Sequence, residues 1–550
     1  MKIFLYIFLF SALGARDFRS LDFEAGRRGE EYRVWVYFDE KNKSEVADLD
    51  PVAMKRRIKH NIYSATKYDY DIKTDYIKNL VEIGAKIKNQ SRWLNAASVI
   101  VNMKELRLIQ KLSFVKKIEA VRQHKKRKAV QSAHSRNIVN RDIDYGMSFD
   151  QIEQINCLTP HIAGYHGQGV RVLYIDTGFE LNHEAYDSLN LVGQYDFIND
   201  DQNTANETAQ EIQENQDDHG TLCLSVMAGY APGSLIGPAF KSEYLLAKTE
   251  IMAEEIQQEE DNYIAALEWG ESLGADIACA SLGYLDWYSY EDLDGNTAAT
   301  TRAIDIASGL GVLCINSAGN EGNGPWYYII TPADADSVLS VGAVDVNGII
   351  ANFSSRGPTF DGRIKPEVCA RGVSTYCIRS NTENIYRNAS GTSFSAPLAA
   401  GAAAVIMSAN PEWTNMKVRE AIMMTASQFN NPDNDYGYGI MNAWAAINYQ
   451  FTADVKDESF LPSAISIYNA YPNPFNPSVS VKIDGLSISQ HVSVGVYDIH
   501  GKLIESLHDQ KVSHDELKLT WNAGNLSSGI YLLIVDWYHG SDFQKITLLK

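Results

Sequence analysis

The stretch Gly391-Thr-Ser-Phe-Ser-Ala-Pro397, running on into Leu-Ala-Ala-Gly-Ala-Ala-Ala-Val-Ile-Met407, decides the fold. The Ala-rich run has strong helix propensity and no polar face, so it reads as a buried helix. Ser393 then stands at the helix start, where unpaired backbone N–H groups and the positive end of the dipole stabilise negative charge. Pro397 is expected in the first turn, where a missing N–H costs little. Taken alone, Ser393 is equally well an N-cap.

A serine that transfers acyl groups needs a base, and the base needs an orienting carboxylate. Gly169-Val-Arg-Val-Leu-Tyr-Ile-Asp176-Thr-Gly178 is an apolar strand that runs into an acid and a turn. This puts Asp176 at the carboxyl end of a parallel strand, where open α/β sheets keep their sites. Asp217-Asp-His219-Gly-Thr221 opens a second apolar helix, with His219 at its mouth. His183 is the competing base but has no Gly-flanked helix start. Asp-Thr-Gly also occurs in aspartic proteases, whose chemistry needs a second such loop, and the chain has none. In Val312-Leu-Cys-Ile-Asn-Ser-Ala-Gly-Asn320-Glu-Gly322 a strand ends in an Asn whose amide can donate to an oxyanion; an Asn-Gly-type turn would give the same pattern.

Asp176-Thr-Gly, His219-Gly-Thr, Ser317-Ala-Gly-Asn320 and Gly391-Thr-Ser393-Phe-Ser-Ala-Pro, in this order, resemble the subtilisin-like serine proteases over residues from about 144 to 448. The resemblance implies a three-layer α/β domain around a parallel sheet. It further implies that Asp176 orients, His219 acts as general base, Ser393 attacks, and Asn320 with the Ser393 N–H holds the oxyanion. In that family, loss of the oxyanion Asn lowers turnover roughly 100- to 1,000-fold. Ser281, Leu282 and Gly283 look like the substrate-lining strand, to which an extended peptide adds by β-pairing, with Ala318 and Gly319 as the other wall of the specificity pocket. Where the common pattern after His219-Gly-Thr reads His-Val-Ala-Gly, this chain has Leu222-Cys-Leu-Ser225. Cys223 is expected beneath His219.

At 550 residues the chain is too long for one core. Residues 1–15, a lone Lys before a short apolar run ending in small residues, read as a secretory signal peptide; no other stretch reads as apolar enough to cross a membrane. Residues 16–128 carry a net +11 and residues 129–550 a net −32. Nucleic acid is thereby an unsuitable partner for the whole, and a cationic front segment docking on an anionic body is electrostatically sensible.

Residues 31–122 alternate strand and helix signals: strands at 33–38, 96–101 and 115–121, helices at 68–88 and 103–112. This suits a small α+β sandwich of ferredoxin type and resembles the inhibitory propeptide of subtilases, assigned to residues 31–128. Cleavage is expected between about 128 and 150, near the basic His124-Lys-Lys-Arg-Lys128. Residues 198–218, acidic and almost without apolar side chains, read as a mobile surface loop. Their carboxylates could hold calcium, but the periodicity of an EF-hand is absent, so no metal or cofactor is expected to be required. Among six cysteines, 223, 279, 314 and 369 read as buried thiols, and Cys369 with Cys377 are close enough for a loop disulfide.

From about residue 463 the texture turns to short alternating strands with Gly and Asn turns, a small β-sandwich. Tyr471-Pro-Asn-Pro-Phe-Asn-Pro477, Tyr497-Asp-Ile-His-Gly-Lys502, Ser528-Gly-Ile-Tyr531 and the terminal Lys545-Ile-Thr-Leu-Leu-Lys550 resemble type IX secretion sorting domains over 463–550. A carbohydrate-binding module would share the sandwich but offers no aromatic platform here. The expected protein is a secreted or cell-surface serine endopeptidase made as a self-processing zymogen, its partners being peptide or protein substrates, its own propeptide and the outer-membrane secretion machinery. A catalytically dead surface-binding relative is the alternative. An α/β-hydrolase esterase fails on the missing Gly-x-Ser-x-Gly elbow and on residue order.

Overall fold

A computed structural model describes residues 23–121, 123–124, 143–252, 255–451 and, apart from 468–469, 485–490, 499–501, 513–515, 525 and 538–539, residues 466–550. The expected signal peptide and the 128–142 part of the expected processing region lie outside the described residues, as does part of the Tyr497–Lys502 motif. The chain forms two compact units, Met1–Gln450 and Phe451–Lys550.

The front of the first unit is an antiparallel sheet. It is built from β1 (Glu31–Phe38), β2 (Lys86–Ser91), β3 (Ala96–Asn102) and β4 (Val115–Ala120), in spatial order β2-β3-β1-β4. Alternation along β1 sends Tyr32, Val34, Val36 and Phe38 to one face, where Leu80, Leu106 and Ile109 of two helices cover them. Trp35 goes to the other face, which packs on the body, so β1 is buried on both sides. The two covering helices are Thr74–Ile83 and Met103–Ile109, the second opened by an Asn102–Glu105 capping box. The first is shorter than the 68–88 pattern suggested: Tyr70–Ile72 is a strand, and Gly84, with φ of 111°, ends the helix in a left-handed cap. Between β1 and that helix the chain inserts a further helix, α1 (Pro51–Lys59), which the sequence reading missed.

The body is organised on a seven-stranded parallel sheet. Its strands are β5 (Arg171–Asp176), β6 (Asn190–Asp196), β7 (Glu243–Lys248), β8 (Ile277–Ala280), β9 (Leu313–Ser317), β10 (Leu339–Val344) and β11 (Val368–Arg371), in spatial order β6-β7-β5-β8-β9-β10-β11. Covering helices bury both faces of the middle strands, so these read as continuous apolar runs. Helices α2 (Gln258–Ser272) and α3 (Ala299–Gly309) are the crossovers β7→β8 and β8→β9. They pack with Leu173, Ile175, Leu245 and Ala278 in one core cluster. Helices α4 (Asp218–Ala228) and α5 (Thr392–Ala409) pack against each other, and α5 lies against β8, β9, β10 and β11.

By length and apolarity α5 could cross a membrane, contrary to the expectation for the chain beyond residues 1–15, but it is the buried core helix of the body. Two further expectations are corrected. Residues 198–218 contain a helix, Ala209–Glu214, opened by a Thr208–Glu211 capping box and pinned where Lys248 pairs with Asp196 at 2.8 Å and with Glu211. Cys369 and Cys377 form no disulfide: they lie on separate strands, and all six cysteines are buried free thiols.

In the second unit, strands Ser478–Asp484 and Glu516–Asn522 pair in one sheet, while His491–Asp498, Leu503–Lys511, Gly529–Trp537 and Gly540–Leu548 form the other. Their inner faces share a core around Phe475, Trp521 and Leu533, the expected sandwich.

Candidate active site

Asp176 ends β5, Ser281 follows the end of β8, and Asn320 lies three residues past β9. These strands are adjacent and parallel, so the three residues emerge at one carboxyl edge of the sheet. Helices α4 and α5 begin with His219 and Ser393 near their first residues.

Asp176 is fully buried and its Oδ1 accepts from His219 Nδ1 at 2.7 Å and from the Thr177 N–H at 2.7 Å. Among the described residues no group hydrogen-bonds its Oδ2. Burial opposes protonation of His219, but 32% of its side chain is exposed, and the adjacent carboxylate wins: the imidazole is raised well above its ordinary pKa. Cys223, one helical turn on, packs beneath the ring with Sγ 3.7 Å from Nε2. Burial raises its thiol, which holds it protonated. His183, the competing base, is buried elsewhere; its ring nitrogens meet the Ile385 carbonyl and the Ala185 N–H.

Pro397 lies in the second turn of α5, not the first. It is four residues after Ser393 and has no N–H to give that carbonyl. Ser281 Oγ fills the place, donating to Ser393 O at 2.8 Å, while the Ser393 hydroxyl turns to Ser281 O at 3.3 Å. The proline thus frees a carbonyl that ties the start of α5 to the end of β8. Tyr174, fully buried, supports Ser281 Oγ at 3.0 Å.

The Asn320 side-chain oxygen accepts from the Thr392 N–H at 2.9 Å and from Thr392 Oγ1 at 3.1 Å. With its oxygen occupied, the amide has only Nδ2 to present to the space beside Gly391. Thr392 Oγ1 also accepts from Gly319 N at 3.3 Å. Leu282 is fixed through its carbonyl by Asn316 Nδ2 at 2.8 Å. A Cβ on Gly283 would come within 2.5 Å of Ile330 Cδ1, and one on Gly319 within 3.0 Å of Ile330 Cγ1. Ile330 therefore fills the space between the two proposed pocket walls, with Ala318 buried behind.

The sequence reading gave no role to Ile330, Thr392 or Tyr174, although Thr392 and Tyr174 lie inside the motifs that carry Ser393 and Asp176. A separate antiparallel pairing joins Gln123–His124 to Glu255–Ile256, on the segment that leaves β7 beside Asp176.

Comparison with known proteins follows the same divisions. Residues 167–439 match the subtilase family, residues 33–137 the peptidase S8 propeptide domain of Bacteroidota, and residues 469–548 the secretion system C-terminal sorting domain. Subtilisin E of Bacillus subtilis (strain 168) is 30% identical over 368 residues, 66% of this chain and 84% of that protein. Subtilisin J of Geobacillus stearothermophilus is 30% identical over 367 residues, with the same coverage of each chain. Subtilisin Savinase of Lederbergia lenta is 28% identical over 299 residues, 54% of this chain and 97% of that protein. The type IX sorting domain marks export to the cell surface or the medium. The parallel sheet, the site at its carboxyl edge and these matches lead to one statement: the chain belongs to the subtilase family of serine endopeptidases, with an S8 propeptide and a type IX sorting domain.

Proposed function

We propose that Asp176, His219 and Ser393 form the catalytic triad, that Asn320 Nδ2 and the Ser393 N–H form the oxyanion hole, and that the precursor cuts itself between residues 128 and 150. The observation that carries this reading is the 2.7 Å bond that fixes His219 against buried Asp176, at the same sheet edge where Thr392 orients Asn320 beside Ser393.

Asp176 holds Nδ1 as the donor, leaving Nε2 to take a proton. As substrate enters, Ser393 Oγ leaves the Ser281 carbonyl, gives its proton to His219 Nε2 and bonds to the scissile carbon. Hydrogen bonds of this kind are loose in a free site and tighten in the complex. The carbonyl oxygen, now an anion, is held by Asn320 Nδ2 and the Ser393 N–H at the start of α5. His219 returns its proton to the leaving amine. Water then loses a proton to His219 and attacks the acyl carbon, and His219 returns that proton to Ser393 Oγ as the acyl bond breaks. The sequence of steps calls on no metal or cofactor.

Ser281, Leu282, Gly283, Ala318 and Gly319 line the substrate, and residues 31–128 act as the inhibitory propeptide of a body spanning 144–448. Antiparallel pairing of Gln123–His124 with Glu255–Ile256 supports this, since it lays the end of that segment along an edge in the manner of an added peptide strand. The C-terminal domain, 463–550, is the part the outer-membrane secretion machinery engages.

The test is intact mass and N-terminal sequencing of the full precursor and of Ser393→Ala. Wild type is expected to break between 128 and 150 while Ser393→Ala stays joined. Breakage of both would assign maturation to another protease, and breakage of neither under refolding conditions would favour a binding protein on a subtilase fold.

A further inference from the structure

Helix α2 is gripped along its length by the front segment. Near its start Asp261 accepts from Ser98 Oγ at 2.5 Å and from the Trp35 indole, with Arg33 at 3.9 Å; further on Glu268 accepts from Ser91 Oγ. At its far end the partner is a different element, the inserted helix α1, which crosses the C-terminal ends of both α2 and α3.

There Arg56 Nη1 donates to the Ala275 carbonyl at 2.6 Å, Nη2 to the Glu271 carbonyl at 3.2 Å, and Nε to the Leu310 carbonyl at 3.4 Å. The Glu271 carbonyl, which also takes the Gly274 N–H at 3.0 Å, and the Leu310 carbonyl lie at the C-terminal ends of α2 and α3, the negative poles of two dipoles, and the Ala275 carbonyl lies just beyond α2. The Glu271 carboxylate pairs with Arg56 and takes a two-pronged bond from Arg57, Nε to Oε1 and Nη2 to Oε2, both at 2.9 Å. Arg56, Arg57 and Glu271 are each at most 3% exposed. His60 Nε2 accepts the Asn415 N–H at 3.1 Å. The surface is shaped for this helix. Gly274 and Gly311 follow α2 and α3 with φ of 86° and 98°; a Cβ on the first would meet Val52 Cγ1 at 2.8 Å, and on the second the His60 ring at 2.6 Å.

We propose that this socket is a binding site of the mature body for the arginine pair of its own excised propeptide, and that it keeps the propeptide bound after the chain is cut. It rests on the reading of residues 31–128 as an inhibitory propeptide. The 15 residues of α2 separate the socket by about 20 Å from the edge strand Glu255–Ile256, so it holds independently of the cleft. The two guanidinium groups are not cleaved, do not enter the substrate edge, and satisfy a carboxylate and three carbonyls of the body at once. Severing the chain between residues 128 and 150 therefore leaves the clamp intact.

The test separates retention from catalysis. In the full chain carrying Ser393→Ala, a site for an unrelated sequence-specific protease is inserted between residues 128 and 142. The chain is cut there, and release of the front fragment is followed by size exclusion over time. Arg56→Gln/Arg57→Gln is expected to release the fragment at least tenfold faster than the parent. Lys55→Gln, on the exposed face of the same helix, should release at the parent rate. Equal rates for the arginine variant and the parent, within twofold, overturn the proposal. If the double variant does not fold, Glu271→Gln, which keeps the shape and removes the charge, takes its place: release at least tenfold faster supports the proposal, and release within twofold of the parent overturns it. Because Ser393 is absent throughout, a failure of self-processing leaves this outcome readable.

Discussion

Thr392 determines which end of Asn320 is left free, because its N–H and hydroxyl both occupy the amide oxygen. Asn320→Leu keeps the volume and removes the donor. It is expected to lower kcat by the roughly 100- to 1,000-fold known for subtilisin itself, with KM little changed, as steady-state kinetics on a short peptide substrate will show. If Gly283 and Gly319 wall the pocket as proposed, Ile330, which lies against both, is expected to favour small side chains at the cleaved bond. Ile330→Gly is expected to raise kcat/KM for a substrate with Phe at that position, relative to Ala, by tenfold or more; an unchanged ratio in a matched substrate pair would falsify the assignment. Asp176, His219, Asn320 and Ser393 were legible because each closes a local pattern, a strand end or a helix start. Ile330 was not, because it reaches the pocket from a loop whose own sequence has no periodic signal.

Elements were legible in proportion to how apolar their buried faces are. The strand at 33–38 and the helix at 392–409 bury hydrocarbon and were read directly. Helix α1, Pro-Val-Ala-Met-Lys-Arg-Arg-Ile-Lys, buries Arg56 and Arg57 and leaves Ile58 half exposed, which inverts the usual rule. The helix at 209–214 buries no residue and is held by its capping box and Lys248. His60, just past α1, carries a pH consequence. Burial lowers its pKa to about 4; its neighbours Arg56 and Lys59 add to this, and Nε2 is committed to accepting. The folded pKa lies below the usual 6.5, so its contribution to stability is full above pH 6.5 and is lost as pH falls towards 4. The grip of Asp261 at the other end of α2 responds oppositely, since burial raises its carboxyl to about 6 and favours the protonated, acid-side form. Comparing uncut Ser393→Ala with Ser393→Ala/His60→Asn cancels that second effect. The difference in Tm between pH 7 and pH 4.5 is expected to be smaller in the His60→Asn chain.

At the scale of the molecule, the three-part division was legible from texture and charge: a cationic front, an anionic body and a run of short alternating strands. The mode of docking was not, because the contacts join residues more than 200 positions apart, such as Arg57 and Glu271. The second unit has its own core, in which Trp521 packs between Phe475 and Tyr531. Trp521→Ala is expected to cost that domain about 3–5 kcal/mol and to lower one calorimetric transition while leaving that of the body in place.

The parallel sheet also has a kinetic side. Its neighbouring strands are joined by no hairpins; β7, β8 and β9 come together only after two helical crossovers have closed. Closing such loops costs chain entropy before any strand contact repays it, which makes an all-parallel sheet slow to nucleate. The two crossovers are α2 and α3, the helices that the front segment holds at their ends. By fixing both in place, that segment is expected to shorten the search for the central strands, and so to act on the height of the folding barrier as well as on the finished structure.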